Sequence, residues 1–203
     1  MTNTHATLSA RLKAETHDEH ERMHRLMAQC QPFADRERYA HFVAAQYLFQ
    51  RDVEHLFTTP GMRSAVTDLE VRGREAAALA DLADLGAAVP QEQRASAALA
   101  VAMPGALGWL YVSEGSTLGA AFLFKQAKED LGLSAEFGAR NLAAYPEGRM
   151  VVWRRFVASL DSDQFSAADH DLIVAGAFAA YQRFGELLQR QFALKNAEAA
   201  EAA

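Results

Sequence analysis

The stretch Ala106–Lys125, ALGWLYVSEGSTLGAAFLFK, constrains the whole chain more than any other. Read at helical period, it sets Gly108, Gly115 and Gly119 at spacings of seven and four, while Trp109, Leu110, Leu118, Phe122 and Phe124 fall elsewhere. One side of this helix is therefore nearly bare backbone. A glycine inside a helix costs about 1 kcal/mol relative to alanine, so Gly115 and Gly119 together give up roughly 2 kcal/mol. A flat or bulky neighbour must come close enough to offset that. It is either another helix packed on small residues, with a kink at Gly115-Ser116, or a ligand. The run is long enough to raise the question of a membrane span. However, Glu114 at its centre, flanked by Ser113, Ser116 and Thr117, would cost several kcal/mol in hydrocarbon. The helix is expected in a water-soluble core.

At 203 residues, half of them apolar, the chain suits one domain with a sizeable core. The net charge of −6 is diffuse, and no basic block interleaved with aromatics appears. Neither nucleic acid nor an anionic membrane surface is implied as a partner. The single Cys30 cannot form an internal disulfide, and the polar start MTNTHATLSARLKAE lacks the apolar centre of a signal peptide. Both point to the reducing cytoplasm. With no local base evident, Cys30 reads as a small buried hydrophobe rather than a nucleophile.

Helical periodicity dominates and no sustained two-residue alternation occurs, so the class is all-α. The first helix is expected over Thr7–Gln29, with Leu8, Leu12, Met23, Leu26, Met27 and Cys30 on one stripe and Pro32 stopping it. Asp35 caps a second helix that ends before Thr59-Pro60-Gly61 and carries Gln46 and Gln50 on one face. Shorter pieces follow over residues 62–66 and 69–85, weakened at Gly73, and then a loop over residues 86–93. Pro104 suits the first turn of the glycine-rich helix, which continues to Gly132. A turn-rich connection leads into MVVWRRFVASL. Ser166 with Asp169 forms a capping box for a last helix over Ala167–Phe192, whose buried side is marked by Leu172, Ile173, Phe184 and Leu188. The termini, about residues 1–6 and 193–203, lack a core face and are expected to fray.

Three histidines cluster in THDEHERMH. The spacings of His17, His20 and His24 bring them within reach of one zinc ion, or else they are solvated residues on an acidic helix. A third reading separates His20, which lies on the shoulder of the apolar stripe. Half buried beside methionines, it can offer a neutral imidazole to an iron held in an apolar pocket. Lys13, seven residues earlier, lies on nearly the same face, roughly 10 Å along the axis. Glu19 falls inside the stripe without an account.

LKAETHDEH, QPF, YAHFVAAQYLFQ, LGWLYVSEGSTLGAAFLFK and FGARNLAAYPEGR followed by WRRF resemble the bacterial haem oxygenases of the iron-acquisition and phytochrome-associated branch. The resemblance runs from Leu8 to about Phe192. It implies an all-α, single-domain haem oxygenase fold that sandwiches haem, both substrate and cofactor, between the first helix and the glycine-kinked one. His20 would be the proximal iron ligand, with His17 and His24 bystanders. Gly115, Ser116 and Gly119 would line the distal, catalytic side. Lys13, Tyr181 and Tyr111 would bind haem, the first two at its propionates, and Gln46 and Gln50 would shape a distal water network. Ser116 stands where animal relatives carry aspartate, and Asn141 where several bacterial ones carry histidine.

The reaction implied is ring opening at a meso carbon to biliverdin, carbon monoxide and ferrous iron, with O2 and electrons from a ferredoxin or flavin reductase type donor. A bacteriophytochrome is a possible recipient of the product. Close glycine backbone and small hydroxyls suit such chemistry because a charged acid beside the bound oxygen would favour O–O cleavage. Lys13, set against the uncharged Gln126 at the far end of the distal helix, implies one cationic grip and cleavage at the α meso carbon. A haem carrier and a helical zinc protein are the alternative readings.

Overall fold

The computed structural model describes residues 7–66 and 68–194. Helices make up its architecture, in the order α1 (Leu8–Glu15), α2 (His17–Cys30), α3 (Arg36–His55), α4 (Met62–Ala65), α5 (Glu75–Asp84), α6 (Ser96–Ala100), α7 (Ala106–Leu131), α8 (Arg140–Ala143), α9 (Arg149–Leu160) and α10 (Ala167–Gln191). Short 3-10 turns at Leu56–Thr58 and Leu69–Val71 join α3 to α4 and α4 to α5. Among the described residues no strand forms, only an isolated bridge between Ser134 and Gly138. Among the described residues no helix is long and apolar enough to cross a membrane.

Local chemistry sets the boundaries. The Asp35 side chain accepts from the Arg38 amide at 2.8 Å and opens α3. Gly132, at φ 67°, takes the left-handed position that closes α7. Ser166 and Asp169 form the reciprocal capping box of α10. The single first helix expected from the sequence is instead two, divided at Thr16, which leaves helical geometry at φ −95° and ψ 11°. The Thr16 hydroxyl donates back to the Leu12 carbonyl at 2.8 Å, competing with the main-chain ladder. α6, within the stretch before Pro104, was not foreseen.

The core runs along α3, α7 and α10. Both α2 and α7 pack on α10 rather than on each other. The buried side of α10 is Ile173, Ala177, Ala180 and Leu187, at spacings of four, three and seven, whereas Leu172 is 54 % exposed, contrary to expectation. It lies about 100° round from Ile173, on the solvent side. The expected fraying of residues 1–6 and 195–203 lies outside the described residues. Leu194 is described, packs against the core and donates its amide to the Gln189 carbonyl, so fraying does not begin at residue 193.

The glycines of α7 divide between the two roles the sequence left open. A Cβ on Gly108 would fall 2.0 Å from the Ile173 carbonyl oxygen, so helix packing accounts for this glycine. Gly119, eleven residues on and on nearly the same face, would place a Cβ with nothing within 4 Å. α10 covers the early part of that face and leaves the later part clear.

Candidate haem cleft

Between α2 and α7 lies an open cleft of about 530 Å³, lined chiefly by Met27, Gln31, Phe33, Leu123, Gln126 and Asp130. Met27 and Gln31 follow His20 by seven and eleven residues. Leu123, Gln126 and Asp130 follow Gly119 by four, seven and eleven. At 100° per residue Met27 and the three α7 residues stay within about 40° of the lines through His20 and Gly119, while Gln31 follows the end of α2 in the left-handed region. His20 and Gly119 thus share a helix face with those lining residues, two turns and one turn before the first of them. The lining is apolar at Met27, Phe33 and Leu123, and the exposed imidazole and missing Cβ suit a flat, largely apolar ligand carrying a metal.

His20 departs from expectation in one respect: its side chain is 56 % exposed, not half buried, because the stripe's buried residues Met23, Leu26 and Cys30 lie further round α2. Its ring meets that of His24 edge-on at 4.6 Å. The ligand atoms that converge are those of His20, Glu21 and His24, all exposed, and His17 is not among them. Glu19 now has an account. It holds Arg22 at 2.8 Å, and Arg22 reaches over Gly185 to the Tyr181 carbonyl at 3.3 Å, fastening α2 to α10.

Tyr111 and Tyr181 come together around the buried Thr16 at the division between α1 and α2. Burial pushes the Tyr111 phenol up to about 12, with Tyr181 adding to the effect and the Thr16 hydroxyl opposing it. Burial also raises Tyr181. Both remain neutral hydroxyl donors at ordinary pH. Lys13 is exposed on α1. Burial raises the Cys30 thiol to about 11, which makes it an inert core residue.

On α7, Gly115 would bring a Cβ to ordinary contact with the Trp153 ring at 3.7 Å, and the Ser116 hydroxyl donates to the Ser113 carbonyl at 2.7 Å. The helix continues through both without interruption. Gln50 is buried and accepts from the Ser113 hydroxyl at 3.3 Å, and Arg74 donates to the same hydroxyl at 2.7 Å. The buried Gln46 Oε1, Arg74 Nε and Asn141 Oδ1 have no protein partner. Groups of this kind are satisfied by ordered water.

Sequence reading missed the residues behind α7. The Glu114 carboxylate, 1 % exposed, accepts from Tyr145 Oη at 2.6 Å and from Arg72 Nη1 at 2.5 Å. Arg72 is itself buried, held by Asp68 and lying over the Phe156 ring. The signal was present, since a carboxylate in the middle of an apolar run demands a buried partner.

The family described as Heme oxygenase matches residues 6–190. Heme oxygenase PigA of Pseudomonas aeruginosa is 46 % identical over 185 residues, 91 % of this chain and 93 % of that protein. The crystal structure of the NO- and CO-bound heme oxygenase from Neisseria meningitidis superposes with a TM-score of 0.88 at 35 % identity, covering 95 % of this chain and 96 % of that one. The heme oxygenase structure from Leptospira interrogans shares the fold, with a TM-score of 0.74 at 18 % identity over 91 % of this chain and 99 % of that one.

Proposed function

Because the chain belongs to the heme oxygenase family and so degrades haem as both substrate and cofactor, we propose that its single domain holds haem between α2 and α7 and opens the ring at the α meso carbon. The alignment of His20 and Gly119 with the α2 and α7 residues that line one cleft, apolar at Met27, Phe33 and Leu123, carries this reading. When bound, haem supplies the iron that activates O2.

The protein's part is placement. His20 would offer the iron an imidazole nitrogen, and the absence of a Cβ at Gly119 would let the α7 backbone come close to the ligand. Ser116, beside Gly115, is a small hydroxyl in place of a charged acid. Gln46 and Gln50, with Asn141, hold water behind α7 and so provide protons without a carboxylic acid at the oxygen. Neutral Tyr111 and Tyr181 donate hydrogen bonds to propionate carboxylates, and Lys13 supplies the charge.

The choice of meso carbon follows from charge. At the far end of the cleft the polar lining is Gln31, Gln126 and the anionic Asp130, which repels a propionate. Lys13 and the tyrosines would therefore hold the propionates, leaving the far end to an apolar edge of the ring.

Electrons must come from outside, and a ferredoxin or flavin reductase type protein is the donor class that fits. Biliverdin supply to a bacteriophytochrome, or iron release, is the purpose served, in the cytoplasm. The family and its relatives favour neither a haem carrier nor a zinc protein. The test is to add haemin and then a reductant in air. Loss of the Soret band with carbon monoxide release is expected, and a stable haem spectrum would overturn the reading.

A further inference from the structure

We infer that Glu114 is a positioning residue for ring opening, whose bonds to Arg72 and Tyr145 fix the rotation of α7 about its axis and thereby the closeness of the Gly115–Gly119 backbone to the ligand. This rests on the haem reading above.

Glu114 lies five residues before Gly119, about 140° round the helix, so it anchors the back of α7 while the glycine face is presented in front. Its two carboxylate oxygens are gripped from two separate elements. Arg72 follows the 3-10 turn at Leu69–Val71, and Tyr145 follows α8. Arg72 cannot drift, because Asp68 takes its other arm at 2.7 Å and the Val152 carbonyl accepts from it at 3.3 Å. Main-chain carbonyls of the same segment are fastened as well. Arg74 donates to Ser113 O at 2.7 Å, and Arg149 to Thr117 O at 2.7 Å. Each donor comes from outside α7, and their grip is concentrated over Ser113–Thr117, the segment that includes Gly115.

Simple geometry shows why rotation matters. Backbone atoms sit about 2.3 Å from a helix axis, so a turn of about 20° moves them by roughly 0.8 Å. Misplacement by about 1 Å near reacting atoms is enough to cost on the order of a hundredfold in rate. Glycine offers no side chain to correct such an error, so the anchoring must come from the opposite face.

The experiment compares Glu114→Gln and Tyr145→Phe with the wild type in the haem-loaded full chain. It measures haemin affinity, melting temperature, turnover and the C–O stretching band of the ferrous carbon monoxide complex. Glu114→Gln is expected to bind haemin within about threefold of wild type, yet to lose about tenfold or more in turnover and to shift or broaden the C–O band. Tyr145→Phe, which leaves the ion pair intact, should move the same band in the same direction by less, and it keeps the test open if Glu114→Gln fails to fold. An unchanged band in the folded variants overturns the inference, even if melting temperature and turnover fall, because stability alone would then explain the loss. A wild-type chain that takes up no haemin is a separate failure, that of the haem reading itself.

Discussion

Gly108 and Ile173 meet backbone to backbone: a Cβ on the glycine would sit 2.0 Å from the Ile173 carbonyl oxygen, and Gly176 stands in the same relation to Gly105. Main chain cannot yield as a side-chain tip can. Gly108→Ala should therefore destabilise the protein by about 2 to 3 kcal/mol, a loss of roughly 5–10 °C in melting temperature. Gly119→Ala meets no neighbour within 4 Å and should hold or gain stability, by up to about 1 kcal/mol. Gly119→Leu should keep the fold and part of the haem affinity while suppressing turnover. Calorimetry and a bilin assay on the three variants check the contrast; equal stabilities for the two alanine variants would contradict it.

His20→Ala should abolish normal turnover and alter the ligand-field spectrum of bound haem. His17→Ala and His24→Ala should not, although His24 touches the His20 ring. If His24→Ala alone removed the native spectrum, the iron ligand would be the wrong histidine. Saturating haemin should also raise the melting temperature of the wild type, by about 3 kcal/mol of stabilisation at a hundredfold excess over Kd.

Acid stability turns on Arg140. Its hydrogen bond holds the Asp84 carboxyl below the usual range, with the Gly138 amide assisting. A lowered folded pKa gives stability that is present above the unfolded value and lost as pH falls through the folded one. Asp169, held low by the Ser166 amide, acts in the same sense. Asp81 is the opposite case: burial raises it, so its contribution favours the folded state at low pH and fades as pH rises. Net loss should set in below about pH 4, and Asp84→Asn should flatten that decline. Urea midpoints at about pH 5 and about pH 3 measure it, and an equal drop in wild type and variant would refute the assignment.

Biliverdin IXα should dominate the wild-type product. The variant Lys13→Asn, Gln126→Lys moves the cation from α1 to the far end of the cleft and should bring in other isomers. A charge-assisted contact of roughly 1.5 to 3 kcal/mol exceeds the 1.4 kcal/mol that gives tenfold discrimination. Chromatography of the bilins decides. An unaltered pattern would place the anchors elsewhere.

The all-α class, the caps at Asp35, Gly132 and Ser166 and most helix limits were legible because period and capping chemistry are local. The bare face of α7 was legible too, but its division into a packed half at Gly108 and an open half at Gly119 was not. That depends on where α10 crosses, which is a property of the assembled fold. Arg72 and Glu114 show the same limit. They are forty-two residues apart, and nothing in DLEVRGRE announces which carboxylate the first of its two arginines will meet. Leu172 was misplaced because two adjacent apolar residues, Leu172 and Ile173, leave a helical stripe free to pass through either.

The two walls of the cleft are unequally held. Three of the fourteen residues of α2 are buried, Met23, Leu26 and Cys30, against thirteen of the twenty-six in α7. Segments with few buried contacts open at a free energy well below that of global unfolding. Amide hydrogens of α2 should thus exchange through local detachment from α10, while those of α7 wait for the whole molecule to unfold. On the haem reading, a rigid planar substrate and a flexible open-chain product would then share one mouth whose histidine wall yields and whose glycine wall stands still.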